Sequence, residues 1–257
     1  MLDLDLLLLM LGLGAFFAGF VDAVVGGGGL IQIPALFSAY PGTLPATLFG
    51  TNKIASVVGT SSAAIQYARR VAIPWRIALP GALAAFIGSW FGARAVAHLP
   101  SDFLRPLILG LLIVVAVYTF LKKDLGSVSN EKVHGGRAIA LALAIGGSIG
   151  FYDGFFGPGT GSFLIFLFVR LLGMDFLRAS VTAKILNVAT NVAAIAFFSL
   201  NVEILWKVGA VMAACNLTGA VVGSRLAIRH GAGFVRKMFL GVVTALIAKM
   251  AYDLLVG

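Results

Sequence analysis

The sequence predicts an all-α fold: a polytopic helical membrane protein built from two inverted repeats of five membrane segments each, including a short segment after a glycine-rich helix break in each half. Three observations support this prediction: the composition, an internal duplication and the distribution of basic residues between loops. Of the 257 residues, 60% are hydrophobic and 11% are charged, and the mean hydropathy is +1.02. Because this leaves too little polar surface to cover a soluble globule, we expect the chain to lie in a lipid bilayer.

Apolar stretches that approach or exceed the length of a membrane-spanning helix recur along the chain. Such a helix needs about 20 residues, and in lipid it satisfies its own backbone hydrogen bonds. The stretches cover residues 6–25, 77–93, 104–121, 138–156 and 239–256. Two shorter apolar pieces, residues 30–40 and 161–172, each follow a glycine-rich break.

The two halves of the sequence repeat each other. A shift of 131 residues without a gap leaves 24 of 92 positions identical across residues 19–110. The matched pairs include the rare and costly residue types, namely Asp22 with Asp153, Lys53 with Lys184, Trp75 with Trp206 and Arg94 with Arg225. An internal duplication explains the match, and duplicated membrane proteins commonly bind their substrate where the halves meet.

The distribution of Lys and Arg between the loops indicates how many times each half crosses the membrane. If the two short pieces re-enter, Lys and Arg divide nine against eight between the faces, but if both pieces cross, they divide thirteen against four. The second division follows the positive-inside rule, so we predict ten spans. Five crossings per half invert the second repeat and place both termini outside. The first repeat then covers residues 1–121, a cytoplasmic linker 122–137 and the second repeat 138–257.

Lys53 and Lys184 lie inside apolar helices at equivalent positions of the two repeats. A charge at such depth costs about 2.5–3.5 kcal/mol on insertion scales, so it usually faces the protein interior or a water-filled cavity. Polar residues adjoin each lysine or follow it at helical steps of three and seven, which suits a small anion. The predicted substrate-binding side chains are Lys53, Thr51, Asn52, Ser56, Lys184, Thr182, Asn187 and Asn191. Thr60 lies on the same polar helix face as Lys53 and Ser56. Alternatively, each lysine pairs with Asp22 or Asp153 and holds the helices together, and both interpretations can be true.

The glycine-rich breaks at residues 26–29 and 157–161 occupy matching places in the two halves. Glycine allows the backbone to leave a helix, and the next helix then begins with free amides and a positive dipole end. Broken helices at matching places of inverted repeats point to a transporter site, although glycine also allows tight helix packing. The break residues predicted to bind the substrate are Gly27, Gly28, Gly29, Gly159 and Thr160.

Asp22 and Asp153 precede the two breaks by four residues. Such a carboxylate can accept hydrogen bonds from the loosened backbone amides. Alternatively, a buried carboxyl group can carry a proton, which makes both residues candidates for ion coupling.

Three motifs make the chain similar to a known family. They are GFVDAVVGGGGLIQIP at residues 19–34, GTNKIAS at 50–56, and the second copy GFYDGFFGPGTGSF with TAKILNVATN. Over nearly its whole length the chain resembles the sulfite exporter TauE/SafE family of membrane transporters. The resemblance implies transport of small sulfur-containing or organic anions, such as sulfite, sulfonates or thiosulfate, across the bacterial cytoplasmic membrane. The second copy has Ala183 where the first has Asn52, so the two halves need not contribute equally.

We therefore predict a secondary transporter that moves such an anion by alternating access, with a passive anion channel on the same scaffold as the alternative. The sequence contains no recognisable catalytic motif or metal-ligand spacing, so we expect no enzyme activity, no cofactor and no metal. The expected partners are the small anion, H⁺ or Na⁺ as coupling ion, and the lipid bilayer. The formal charge of +9 lies in short loops and indicates membrane orientation, not nucleic-acid binding. The sequence leaves the oligomeric state open, a homodimer included.

Overall fold

The computed structural model describes residues 4–100 and 133–256 and six residues between them, and it describes side chains as far as Gly231. Within this part of the chain the secondary structure is helical, as predicted. The helices are α1 (Leu4–Val25), α2 (Gly29–Ala39), α3 (Pro45–Ala68), α4 (Trp75–Ala97), α5 (Gly135–Phe155), α6 (Thr160–Leu172), α7 (Phe176–Asn201) and α8 (Trp206–Val256). Gly231 interrupts α8 with a φ of 69° and a ψ of −165°.

Most predicted apolar stretches coincide with these helices. Residues 6–25, 77–93 and 138–156 correspond to α1, α4 and α5, and residues 239–256 belong to α8. The predicted stretch 104–121 and the linker as far as residue 132 lie largely outside the described residues. Because α5 begins at Gly135, the last three residues of the predicted linker are helical.

Five of the described helices are long and apolar enough to cross a membrane, namely α1, α4, α5, α7 and α8 as far as Gly231. The chain is therefore a multi-pass membrane protein by length and composition. The short pieces α2 and α6 have 11 and 13 residues. At 1.5 Å per residue they are about 17 and 20 Å long, shorter than a full crossing. The total of ten crossings stays a prediction.

The internal duplication extends to the positions of the helices. The helices α6, α7 and α8 begin at residues 160, 176 and 206, each 131 residues after α2, α3 and α4 at residues 29, 45 and 75. The breaks recur as well, because the repeat mates Gly26 and Gly157 have φ values of +81° and +97°. Residues with a Cβ rarely adopt such values, which explains glycine at both positions.

The first helix of each half packs against the fourth helix of the other half. A Cβ on Gly88 of α4 would lie 2.8 Å from the amide nitrogen of Phe151 on α5. At the repeat-related crossing, a Cβ on Gly219 of α8 would lie 3.0 Å from the amide nitrogen of Phe20 on α1. These glycines let the helix backbones touch, as small residues do in membrane proteins. The two halves are therefore interleaved.

The outer helices expose apolar side chains, whereas the inner helices are more deeply buried and contain polar side chains among the buried residues. In α7, 67% of the apolar stretch is buried, against 39% in α4 and in α5. On α4, Leu83 and Ile87 are 60% and 57% exposed. An exposed apolar face of this kind suits contact with lipid. The inner helices α3 and α7 carry the buried polar side chains that build the candidate site.

Candidate functional site

Lys53 on α3 and Lys184 on α7 each form an ion pair with the other half of the chain. The Nζ of Lys53 donates a hydrogen bond to Oδ2 of Asp153 at 2.6 Å. The Nζ of Lys184 lies 3.1 Å from Oδ2 of Asp22 and also donates to the backbone oxygen of Asp22. The lysine–aspartate pairing that the sequence offered as one alternative is thus present, and it runs crosswise between the halves.

The two pairs differ in their exposure. The side chains of Lys53 and Asp153 are 4% and 3% exposed, whereas those of Lys184 and Asp22 are 1% and 17% exposed. Taking charges out of water is expensive, and removing one partner of such a pair leaves an uncompensated buried charge. The pairing therefore offsets part of the cost of burying these four charged groups.

A small polar cavity lies beside these pairs, where α3 and α7 meet the two glycine-rich breaks. Its volume is about 20 Å³, room for about one water molecule. Its lining is formed by the carboxylates, one lysine, hydroxyl and amide groups, and break residues. The lining residues are Asp22, Gly26, Gly29, Asn52, Lys53, Ser56, Thr60, Asp153, Gly157, Gly159, Thr160, Gly161, Asn187 and Asn191.

The two breaks touch each other at the cavity. Ser162 donates from its amide nitrogen to the oxygen of Gly26 at 3.2 Å and from Oγ to the oxygen of Val25 at 2.6 Å. A Cβ on Gly26 would lie 2.5 Å from the Cα of Gly161. The start of α6 is therefore bonded to the end of α1, and glycine is required at positions 26 and 161 because a Cβ on either residue would overlap the backbone of the other.

Polar side chains on α3 and α7 complete the surroundings. Thr60 donates from Oγ1 to Oδ2 of Asp22 at 3.2 Å, and Asn191 donates from Nδ2 to Oδ1 of Asn187 at 3.0 Å. Among the described residues, Oδ1 of Asn52 is buried and has no hydrogen-bond partner. Since an amide side chain carries both a donor and an acceptor, rotation of Asn52 can present either one to a ligand.

Ten of the fifteen residues predicted from the sequence line this cavity. Of the others, Lys184 lies behind the wall and reaches Asp22. Thr51 and Thr182 donate from Oγ1 to the carbonyls of Thr47 and Arg178, in both cases at 2.8 Å. Gly27 and Gly28 are not part of the lining. The structure thus brings ten of the predicted residues together around one cavity. The residues outside its lining are Lys184, Thr51, Thr182, Gly27 and Gly28.

Gln32 on α2 is a polar neighbour that the sequence reasoning missed. It is 1% exposed, and its Oε1 accepts from Oγ of Ser56 at 3.5 Å. Among the described residues its Nε2 has no hydrogen-bond partner. A lone amide in the otherwise apolar segment LIQIP was the available signal, because a buried amide requires a partner.

No group of three or more metal-ligating side chains occurs among the described residues. Apolar outer helices, a duplicated interior and a polar cavity between two helix breaks are features of multi-pass membrane transporters. The model of the family described as sulfite exporter TauE/SafE matches residues 11–250. The chain belongs to the sulfite exporter TauE/SafE family.

Relatives of similar length carry transporter names. The chain is 39% identical over 247 residues to the "Probable membrane transporter protein ORF9" of Sinorhizobium sp, covering 96% of this chain and 93% of the relative. It is 38% identical over 248 residues to the "Probable membrane transporter protein YfcA" of Escherichia coli K12, covering 96% and 91%. A "Probable membrane transporter protein" of Haemophilus influenzae is 34% identical over 252 residues, covering 98% and 97%. No solved structure matches the chain.

Proposed function

We propose that the protein is a secondary transporter that carries a small sulfur-containing or organic anion of the sulfite, sulfonate or thiosulfate class by alternating access. The family description names sulfite export, and the relatives are named as membrane transporters. One observation supports the site: two crossed lysine–aspartate pairs flank a small polar cavity between two helix breaks.

The charges of the cavity explain how an anion would be held. Two ammonium groups and two carboxylates balance, so an anion must compete with a carboxylate for a lysine. Lys53 lines the cavity and is the ammonium group that an anion reaches first. The amides of Asn52, Asn187 and Asn191 and the hydroxyl of Ser56 add hydrogen bonds. The N-terminal ends of α2 and α6 face the same space and add positive potential.

The size of the cavity and the crossed pairs support alternating access. With about 20 Å³, the cavity holds about one water molecule and is too small for an oxyanion of four or more heavy atoms. Because each ion pair joins the two halves, a movement of one half against the other would part the pairs and enlarge the space. Rocking of repeats around a central site is the usual mechanism of such transporters.

The proposed arrangement has ten spans in two inverted repeats, in the bacterial cytoplasmic membrane, with both termini outside. Equal spacing of the helix starts and the reciprocal glycine crossings support a duplicated and interleaved architecture. The thirteen-to-four division of loop cations supports the inversion.

Two measurements test the proposed function. First, purified protein is heated with sulfite, thiosulfate, isethionate, taurine or acetate, because a ligand that binds the folded state raises its apparent stability. We expect one of the sulfur-containing anions to stabilise it most. Second, uptake of that anion, radiolabelled, is measured into proteoliposomes preloaded with the unlabelled anion.

Stimulation of uptake by the internal anion is expected of a carrier. Uptake that does not saturate and shows no such stimulation would instead indicate a channel, which needs a continuous polar path and weak binding. Absence of stabilisation and uptake for all sulfur-containing anions would remove the proposed substrate class.

A further inference from the structure

We propose that Asp22 is the carboxylate that takes up the coupling proton, whereas Asp153 stays ionised as the fixed partner of Lys53. This inference rests on the proposed transport function and adds a specific role for one residue of its site. It comes from the unequal surroundings of two residues that the duplication makes equivalent.

The first difference is access to the surrounding space. The Asp22 side chain is 17% exposed and the Asp153 side chain is 3% exposed. Both carboxylates line the cavity. A proton from water therefore reaches Asp22 with less opening of the protein than it needs to reach Asp153.

The second difference is what happens to the paired lysine when the carboxylate is neutralised. Lys184 donates to the backbone oxygen of Asp22 as well as to its side chain. Protonation of the Asp22 side chain therefore leaves Lys184 with an acceptor. Among the described residues Lys53 donates to Asp153 only, so protonation of Asp153 would leave the buried ammonium group of Lys53 with a neutral carboxyl oxygen as its one acceptor and with no charged partner.

The third difference is the hydrogen bond that Thr60 donates to Oδ2 of Asp22 at 3.2 Å. A hydroxyl group both donates and accepts. Thr60 can therefore donate to the ionised carboxylate and accept from the protonated one. In the described part of the chain no corresponding hydroxyl bonds to the carboxylate of Asp153.

The charged groups around Asp22 link the uptake of a proton to the binding of an anion. Lys184 faces it from α7, Lys53 lines the same cavity from α3 and Asp153 from α5, and the remaining polar lining residues are neutral. With both aspartates ionised, the four charges sum to zero. One proton on Asp22 gives the cavity a charge of +1, and one monovalent anion restores neutrality. Proton and anion would then cross together, one for one and without net charge.

The test uses proteoliposomes in which potassium and valinomycin hold the membrane potential at zero. The probes are radiolabelled isethionate, whose single charge does not change with pH in the working range, and thiosulfate. A pH gradient of one unit is a tenfold ratio of proton concentrations. Under such a gradient, one-for-one symport gives up to about tenfold accumulation of isethionate on the alkaline side. The wild type is expected to approach this ratio.

Asp22→Asn is expected to abolish accumulation driven by the pH gradient. Because Asp22 also lines the cavity, counterflow of the same anion is expected to be slower than in the wild type but measurable, which shows that the variant still binds the anion. Asp153→Asn is expected to lower the amount of active protein, but the transport that remains still responds to the gradient. The steady-state ratio is the readout because it does not depend on how much protein is active.

The inference is overturned if Asp22→Asn accumulates the anion to the wild-type ratio. It is also overturned if accumulation by the wild type responds to a sodium gradient and not to the pH gradient. Both results would leave anion transport itself intact. If the wild type moves neither probe, the proposed function fails for both probes, and the inference fails with it.

Discussion

The Nζ of Lys53 and Oδ2 of Asp153 lie 2.6 Å apart, although 100 residues separate the two in sequence. The bond joins α3 of the first half to α5 of the second half, and its repeat mate joins α7 to α1. The same pairs that flank the cavity therefore also hold the interleaved halves together.

Replacing one partner of this pair should destabilise the protein more than replacing both partners. Asp153→Asn leaves Lys53 buried without a charged partner, for which we expect a loss of about 3–5 kcal/mol. The double variant Lys53→Met, Asp153→Leu removes both charges and should recover much of that loss. Unfolding of the detergent-solubilised variants is monitored by circular dichroism, with Glu203→Gln as the exposed control. Equal or additive losses in the single and double variants would argue against a coupled pair.

The two lysines should contribute unequally to anion binding. Lys53 lines the cavity, whereas Lys184 lies behind its wall and is held by Asp22. We expect Lys53→Met to abolish the thermal stabilisation by the best sulfur-containing anion and Lys184→Met to leave a reduced stabilisation. Lys207→Met replaces an exposed lysine and serves as the control. If Lys184→Met loses binding while Lys53→Met keeps it, the anion does not occupy the cavity as proposed.

The elements of the site were predictable because their energetic signals are local. A lysine in an apolar helix is costly, and a glycine run ends a helix, so Lys53, Lys184 and both breaks stand out in the sequence. Because the sequence is duplicated, the buried lysine and the glycine-rich break each occur in both halves. The helices begin at the predicted breaks, and ten of fifteen predicted site residues line one cavity.

The neighbours of each helix were not predictable from the sequence. The pattern of polar residues shows which face of a helix is buried, but not which helix lies against it. The sequence offered Asp22 or Asp153 as the partner of each lysine, and the structure shows that the pairs are crossed between the halves. Thr51 and Thr182 were misplaced for a geometric reason, since a residue two positions from a lysine points about 200° away around the helix. Both hydroxyls bond to carbonyls of their own helices instead.

The glycine at a helix crossing should be sensitive where the backbones touch and tolerant where they do not. A Cβ on Gly150 would lie 2.6 Å from the Cα of Ala85, whereas a Cβ on Gly147 of the same helix meets nothing within 4 Å. We expect Gly150→Ala to destabilise the fold by about 1–3 kcal/mol, in the range of overpacking. Gly147→Ala should be neutral or slightly stabilising, because alanine favours the helix. Thermal unfolding of the two variants in detergent measures the contrast, and equal effects would contradict the close crossing.

The inversion of the two repeats predicts that repeat mates in loops lie on opposite sides of the membrane. Ala72, between α3 and α4, and Glu203, between α7 and α8, are mates separated by 131 residues, and both are exposed. Arg69 and Arg70 precede Ala72, so the positive-inside rule assigns it to the cytoplasm and its mate to the outside.

The experiment for this prediction uses the fact that Cys215 is the only cysteine. After Cys215→Ser, a new cysteine is introduced as Ala72→Cys or Glu203→Cys, and intact cells are treated with a maleimide that does not cross the inner membrane. We expect labelling of Glu203→Cys in intact cells and of Ala72→Cys only after permeabilisation. Eight spans would place the two positions on the same side, because four crossings per half keep the repeats parallel. Identical labelling of both variants would therefore reject the inverted arrangement, whereas opposite labelling requires an odd number of crossings between the two positions.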